Sequence, residues 1–324
     1  MSQAIVVREY GGPEVLKLES VEVGNPGKGE LRIRQTCLGV NFHDIYVRSG
    51  LYKTLALPGV PGIEGVGVVE AIGMDVKGFA EGDRVAYITG GYGCYASERI
   101  LAADIAVKLP DAIRDETAAS VFLKGLTVEM LVNSVGRIRA GNWVLVQAAA
   151  GGVGQLLSQW ASHLGATVIG TAGSPEKAEI ARRAGCSHVI LYRQENVADR
   201  VKAITGGRGV DVAYDSVGKD TFAGSLNSLA MCGHLVNFGQ SSGPVEPVAL
   251  SQLSARSTTL TRPMVFHYVL QRPRLDAMSA SLFDALVEGW LQPAVPSTYH
   301  LADAAVAHRF LESRTGTSPV VLTV

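Results

Sequence analysis

The spacing of apolar residues changes twice along the chain. In the first third, short runs are cut by Gly and Pro: AIVVREY, VLKLESVEV, ELRIRQTCLGV, GVGVVEAIG, DRVAYI and CYASERILA. Runs of this length and composition predict β-strands, and HDIYVRSG gives the one helical signal among them. From residue 143 the pattern is different. WVLVQAA (143–149), TVIGTAG, HVILYR, VDVAYDSVG and HLVNFG are unbroken apolar runs. Between them lie helical stretches at 152–164, PEKAEIARRAG, NVADRVKAITGG and FAGSLNSLA. Apolar strands without alternation, separated by helices, predict a parallel sheet covered on both faces. After about Met264 come helices in SASLFDALVEGWL and ADAAVAHRFLES and a closing strand, SPVVLTV. This tail is expected to return to the first domain. The predicted fold is α/β. A doubly wound parallel-sheet domain spans 124–265, and an irregular β-rich domain is built from 1–123 and 266–324.

The stretch QAAAGGVG, residues 147–154, joins the first parallel strand to its helix. Ala149, Gly151 and Gly154 stand where G-x-G-x-x-G has its three glycines. Backbone N–H groups at such a helix start point at a pyrophosphate. Gly151 lets the phosphate approach, and Gly154 lets helix and strand pack closely. Ala149 is tolerable at the first position provided its φ stays negative. The nucleotide-binding residues expected here are Ala150, Gly151, Gly152, Val153 and Gly154.

The tip of the second parallel strand reads TAGSPEK. An NAD site places a carboxylate there for the ribose 2′-OH, but Ala172 and Gly173 occupy the tip. Ser174 reads as a helix N-cap with Pro175 at the first helical position. Glu176 falls on the solvent side of the first turn. Gly173, Ser174 and Lys177 suit a 2′-phosphate, so NADP(H) is the expected cofactor. Tyr192 and Arg193, after the third strand, are placed to flank the same phosphate.

Composition narrows the partners. The formal net charge is −1 and no long basic run occurs, which argues against nucleic acid or an anionic membrane. No secretory signal and no membrane span are expected. The four cysteines lie far apart, as reduced intracellular thiols do, so a cytoplasmic location is expected.

LGVNFHDIYVRSGLY, PGVPGIEGVGVVEAIG, GDRVAY, FLKGLTVEMLV, AAAGGVG, YDSVG and NFGQSSG occur in this order across nearly the whole chain. The set resembles the medium-chain dehydrogenase/reductase superfamily, and within it the zinc-free quinone oxidoreductases related to zeta-crystallin. The resemblance implies a GroES-like β-rich catalytic domain beside the nucleotide domain. Zinc-bearing members of the superfamily carry a Cys in a GVCH-type motif and a His in a GHEG-type motif. Here Asn41 and Ile63 stand at those places. Asn is a poor zinc ligand and Ile is none. The four-cysteine structural lobe is absent too, since only Cys94 lies in that region and no C-x-x-C occurs. Neither catalytic nor structural zinc is expected. Without that Lewis acid, the acceptor must take hydride unaided, as quinones and conjugated enones do.

The resemblance implies a cleft between the two domains that holds nicotinamide and substrate. It places Asn41, Tyr46 and Tyr52 on the first-domain side and Thr127 near the nicotinamide. Asn41 can hydrogen-bond a ribose or carbonyl group, and the tyrosines can stack on a flat ring or donate O–H. Ser216, Phe238, Gly239 and Ser241 are expected against the cofactor, and a basic residue near the C-terminus, Arg314, is a further candidate. Arg262 and Pro263 follow the last strand of the nucleotide domain. His163, His188, His267, His300 and His308 show no partner in the sequence and are read as structural. The expected activity is NADPH-dependent, zinc-independent quinone reduction. Two rivals stand beside it: an enone or alkenal double-bond reductase, and a low-turnover NADPH-binding structural or sensor protein. Family analogy adds a homodimer.

Overall fold

The computed structural model describes residues 1–313 and 315–324, so Arg314 lies outside the described residues. In chain order the elements begin with β1 (Ser2–Val6), β2 (Lys17–Val21), β3 (Glu30–Val40), α1 (Phe42–Arg48) and β4 (Glu64–Ile72). They continue with β5 (Arg84–Ile88), β6 (Glu98–Ala102), β7 (Ala106–Lys108) and α2 (Asp115–Glu129), the last running on as a π-helical stretch, Met130–Val135. Next come β8 (Trp143–Val146), α3 (Gly152–His163), β9 (Thr167–Ala172), α4 (Pro175–Arg183), β10 (His188–Leu191) and α5 (Val197–Ile204). Then follow β11 (Val210–Asp215), α6 (Phe222–Asn227), β12 (Leu229–Asn237), α7 (Leu250–Ser254), β13 (Thr259–Thr261) and α8 (Val265–Tyr268). The chain closes with α9 (Arg272–Val287), β14 (Ser297–His300), α10 (Ala304–Ser313) and β15 (Val320–Thr323).

Two compact units emerge. The first comprises 1–124, 269–287 and 293–324; the second comprises 125–268 and 288–292. Residues 288–292, which the sequence pattern groups with the β-rich domain, group instead with the second unit. Trp290 accounts for this: it stacks on His163 at 3.9 Å and meets Trp160 edge-on at 5.3 Å. Gln159 and Gln292 hold the same segment with reciprocal hydrogen bonds of 3.0 and 2.7 Å.

The first unit is built on a seven-stranded sheet ordered β14-β15-β3-β4-β5-β7, with β6 also pairing β3. Its strands pair antiparallel except β14 with β15. The long β3 anchors it, and the alternation of Leu31 and Ile33 turns both into a core with Val69, Val85, Tyr87 and Leu101. β15 is the closing strand expected from SPVVLTV, and β14, which pairs parallel with it, carries no strand signal in the sequence reading.

The second unit carries a six-stranded, all-parallel sheet ordered β10-β9-β8-β11-β12-β13. The first strand in sequence, β8, thus lies in the middle, and chain order reverses between β8 and β11. Ligands of such sheets bind at the carboxyl ends of the strands beside that reversal. Leu145, Ile169, Ile190, Ala213 and Leu235 come from successive strands and form one buried cluster. These are the unbroken apolar runs of the sequence.

The helix Asp115–Val135 is long and apolar enough by composition to cross a membrane, but 72% of its most apolar window is buried within the protein. Burial on nearly all sides explains why no amphipathic stripe announced it in the sequence. Where it becomes π-helical, the Leu131 carbonyl accepts from the Gly136 N–H and from the Tyr214 hydroxyl, both at 2.8 Å.

Candidate active site

The turn after β8 closes on itself. The Gly151 N–H donates to the Ala148 carbonyl at 2.9 Å, and the Ala149 N–H donates to the Thr171 carbonyl at 3.0 Å. The left-handed residue of the turn is Ala148, at φ 53°. Ala149 has an ordinary φ, as its place in the glycine pattern requires. Its methyl group is accommodated by β9: a Cβ on Gly170 would lie 2.7 Å from it. Gly151 caps α3 in an extended conformation with no side-chain hydrogen bond. The first-turn amides of Gly152, Val153 and Gly154 therefore have no cap to donate to, which is the arrangement that receives an anion. A Cβ on Gly154 would come within 2.3 Å of the Ala148 carbonyl oxygen, so only glycine lets helix and turn pack this way.

A buried polar chain fixes the turn. Thr171 Oγ1 donates to Gln147 Oε1 at 2.7 Å, and Gln147 Nε2 donates to Ser225 Oγ at 3.0 Å. Ser225 Oγ donates to Asp215 Oδ2 at 2.8 Å. Asp215 Oδ1 also accepts from the Val217 and Gly218 amides at 2.9 Å, so it shapes the loop after β11. Gln147 and Asp215 open the AAAGGVG and SVG segments, yet neither was singled out in the sequence. Their roles are visible only once strands 68 residues apart lie side by side.

At the tip of β9 the helix start has the expected form. Ser174 Oγ accepts from the Lys177 amide at 3.4 Å, with Pro175 following the cap. Gly173 lies under Tyr192, whose hydroxyl would meet a Cβ there at 2.7 Å. Tyr192 is half-exposed and its N–H donates to the Ala172 carbonyl. Ser216, Gly239 and Ser241 also come together. The Ser241 N–H donates to the Ser216 carbonyl at 3.2 Å, and a Cβ on Gly239 would lie 2.6 Å from that same oxygen. Phe238 is tied to the Asp215 carbonyl through its N–H at 2.9 Å. Arg262 clamps this loop from β13, donating to Asn237 Oδ1, to the Gly239 carbonyl at 3.1 Å and to Gln240 Oε1 at 3.2 Å. Thr127, half-buried on α2, belongs to the same unit.

In the first unit Asn41 is the N-cap of α1 and forms a capping box with Asp44. The Asn41 N–H donates to Asp44 Oδ2 at 2.8 Å, and Asn41 Nδ2 donates to Glu64 Oε2 at 2.9 Å. Glu64 Oε1 accepts from the Leu123 N–H at 2.7 Å, and Lys124 Nζ lies 4.0 Å from Oε2. Burial raises the Glu64 pKa above the usual carboxylate range and pushes Asp44 up to about 7. Asn41 is thus held by its own helix and by a buried carboxylate, with one amide proton left for a ligand.

Tyr46 and Tyr52 meet edge to face at 5.3 Å, and His43 lies edge-on to Tyr52 at 5.6 Å. His308 has partners after all. Its Nε2 is 3.0 Å from the Tyr95 hydroxyl and its Nδ1 is 3.3 Å from Arg48 Nη1. Burial, with the Arg48 charge, lowers its pKa to about 3. His163 and His188 stack on Trp290 and Trp143. Among the described residues no group of three or more His, Cys, Asp or Glu is placed to hold a metal ion.

The family profile for the alcohol dehydrogenase GroES-like domain matches residues 27–111, and that for zinc-binding dehydrogenases matches residues 152–280. The chain is 45% identical to a quinone oxidoreductase of Pseudomonas aeruginosa over 323 residues, 99% of each chain. The chain belongs to the quinone oxidoreductase branch of the medium-chain dehydrogenase/reductase superfamily. The zinc-binding profile begins at residue 152 and so includes neither Asn41 nor Ile63. Within the branch and its neighbours, the chain is also 41% identical to a 2-haloacrylate reductase of Burkholderia over 329 residues, again 99% of each. The crystal structure of Escherichia coli quinone oxidoreductase complexed with NADPH superposes with a TM-score of 0.96 at 41% identity, covering all of both chains.

Proposed function

We propose that this chain is an NADPH-dependent quinone oxidoreductase that works without zinc. The observation that carries the reading is the pair of helix starts at the carboxyl ends of β8 and β9. One presents uncapped amides at Gly152–Gly154; the other has Gly173, Ser174 and Lys177 where an NAD site has a carboxylate. Near-full-length identity to quinone oxidoreductases supports the acceptor class.

The nucleotide-binding residues are Ala150, Gly151, Gly152, Val153 and Gly154 for the pyrophosphate, and Gly173, Ser174, Lys177 and Tyr192 for the 2′-phosphate end. Ser216, Phe238, Gly239 and Ser241 lie toward the nicotinamide, with Thr127. The turn fits the group, because α3 starts without a side-chain cap and a Cβ on Gly151 would meet only the Ala148 carbonyl oxygen, at 3.2 Å. When bound, NADPH supplies the hydride. The protein positions and excludes water. Tyr46 and Tyr52 present ring faces and hydroxyls to a flat acceptor, and Asn41 offers its remaining amide proton. Asn41 stands where zinc-bearing relatives carry a ligand, and its side-chain amide already donates to Glu64.

A second reading, reduction of an activated double bond, is favoured by the 2-haloacrylate reductase relative. Homodimer formation and a cytoplasmic location complete the proposal. Exposed Met264 beside edge strand β13 offers a surface for pairing. Steady-state oxidation of NADPH with a para-quinone and with an α,β-unsaturated acid ranks the two acceptors. A kcat/KM higher for the quinone supports the first reading, and the reverse order transfers the assignment to the double-bond reductase.

A further inference from the structure

The aromatic wall of the first unit extends beyond its two tyrosines. His43 also stacks with Tyr92, ring centroids 5.9 Å apart. His43 Nε2 lies 3.3 Å from the Tyr92 hydroxyl, and that hydroxyl shares a second hydrogen bond with Thr54 Oγ1. Tyr92 is buried at 7% exposure, whereas Thr54 is exposed. An unbroken line of exchangeable protons therefore runs from solvent to the imidazole. The other ring nitrogen, Nδ1, makes no hydrogen bond among the described residues. Tyr92 holds φ 59°, a conformation that costs a bulky residue energy and persists only where its surroundings enforce it. Arg99 does so in part, donating to the Tyr92 carbonyl at 2.9 Å.

We propose that His43, recharged through Tyr92 and Thr54, delivers the proton that completes reduction of the acceptor. The inference rests on the reading of Tyr46 and Tyr52 as the acceptor's surface. Once the acceptor has taken hydride it carries an oxyanion. The Nδ1–H bond of His43 breaks as the acceptor O–H bond forms. Nε2 takes the Tyr92 hydroxyl proton, the Tyr92 oxygen takes the Thr54 hydroxyl proton, and water reprotonates Thr54. One solvent proton is consumed, no electrons pass along the line, and the ring ends as the Nε2–H tautomer; once product leaves, water in the acceptor's place reprotonates Nδ1 while the Nε2 proton returns through Tyr92 and Thr54 to solvent. The tautomer required has Tyr92 donating to Nε2, which leaves the proton on Nδ1. Burial lowers the His43 pKa, so a neutral ring with a single N–H is its resting form.

The test compares the parent chain with His43→Ala, Tyr92→Phe and Thr54→Val. An aliphatic enone and a para-quinone serve as acceptors, with and without added imidazole, and NADPH affinity is measured in parallel. His43→Ala and Tyr92→Phe are expected to lower kcat for the enone about 10- to 100-fold at unchanged NADPH Kd. Imidazole is expected to restore turnover in His43→Ala and not in Tyr92→Phe, whose ring fills the place. Thr54→Val is expected to show a smaller loss. The proposal is overturned if kcat stays within twofold of the parent in the first two variants, or if imidazole fails to rescue His43→Ala. A parent chain that oxidises NADPH with neither acceptor overturns the functional reading itself, and this proposal with it.

Discussion

Gly154 and Ala148 approach so closely that a Cβ on the glycine would lie 2.3 Å from the alanine's carbonyl oxygen, whereas a Cβ on Gly151 would stand 3.2 Å from it. The two glycines therefore serve different ends. Gly154→Ala forces turn and helix apart and is expected to cost about 1–3 kcal/mol of stability, as overpacking does. Gly151→Ala needs only a small shift, so it should melt near the parent temperature and bind NADPH more weakly. Thermal melts and NADPH titrations of both variants check this; equal melting losses would contradict it.

Asn41 is expected to behave first as a structural residue. Asn41→Ala removes the α1 cap and leaves a buried Glu64 oxygen without its 2.9 Å donor, a loss of about 2 kcal/mol. Asn41→Asp keeps a good cap but sets a second carboxylate against Glu64, and it should be the less stable of the two. Urea midpoints give the order, and an Asp variant as stable as the parent would refute the account.

Two buried groups push the pH dependence in opposite directions. The pKa of His308 falls to about 3 on folding, so its contribution is lost as pH drops from about 6.5 toward 3. Asp44 is raised to about 7, so its contribution is full below about 3.9 and lost as pH climbs to 7. Across their shared window the two offset each other. His308→Asn removes one, and stability of that variant should fall with rising pH between about 4 and 6.5, more steeply than the parent's. A variant profile parallel to the parent's would contradict the assignment.

Cys232 is exposed, while Cys37, Cys94 and Cys186 are buried. Burial pushes their thiols up to about 12, 11 and 11 respectively. An aromatic disulfide reagent at pH 8 is expected to label one thiol in the native protein and four after denaturation. Rapid labelling of more than one native thiol would be inconsistent with this burial.

What the sequence carried follows from locality. The strands of the parallel sheet, the Ser174 cap and the glycines at Gly151 and Gly154 announce themselves through residues a few positions apart. Helix α2 escaped notice because it is apolar on nearly every side. The Trp290 excursion and the His308 network escaped because their partners lie 127 or more residues away, at His163 and Tyr95. His43 stands beside Asp44 in the sequence, and adjacency alone does not pair them. Its real partners, Tyr92 and Thr54, come from other segments, and Asp44 turns instead to Asn41 and Tyr95.

The central claim is tested most directly by steady-state oxidation of NADPH and NADH with a para-quinone in the presence of a metal chelator. The account predicts quinone-dependent oxidation of NADPH, a much lower kcat/KM with NADH, and no effect of chelator. Chelator-sensitive turnover, or a preference for NADH, would contradict it.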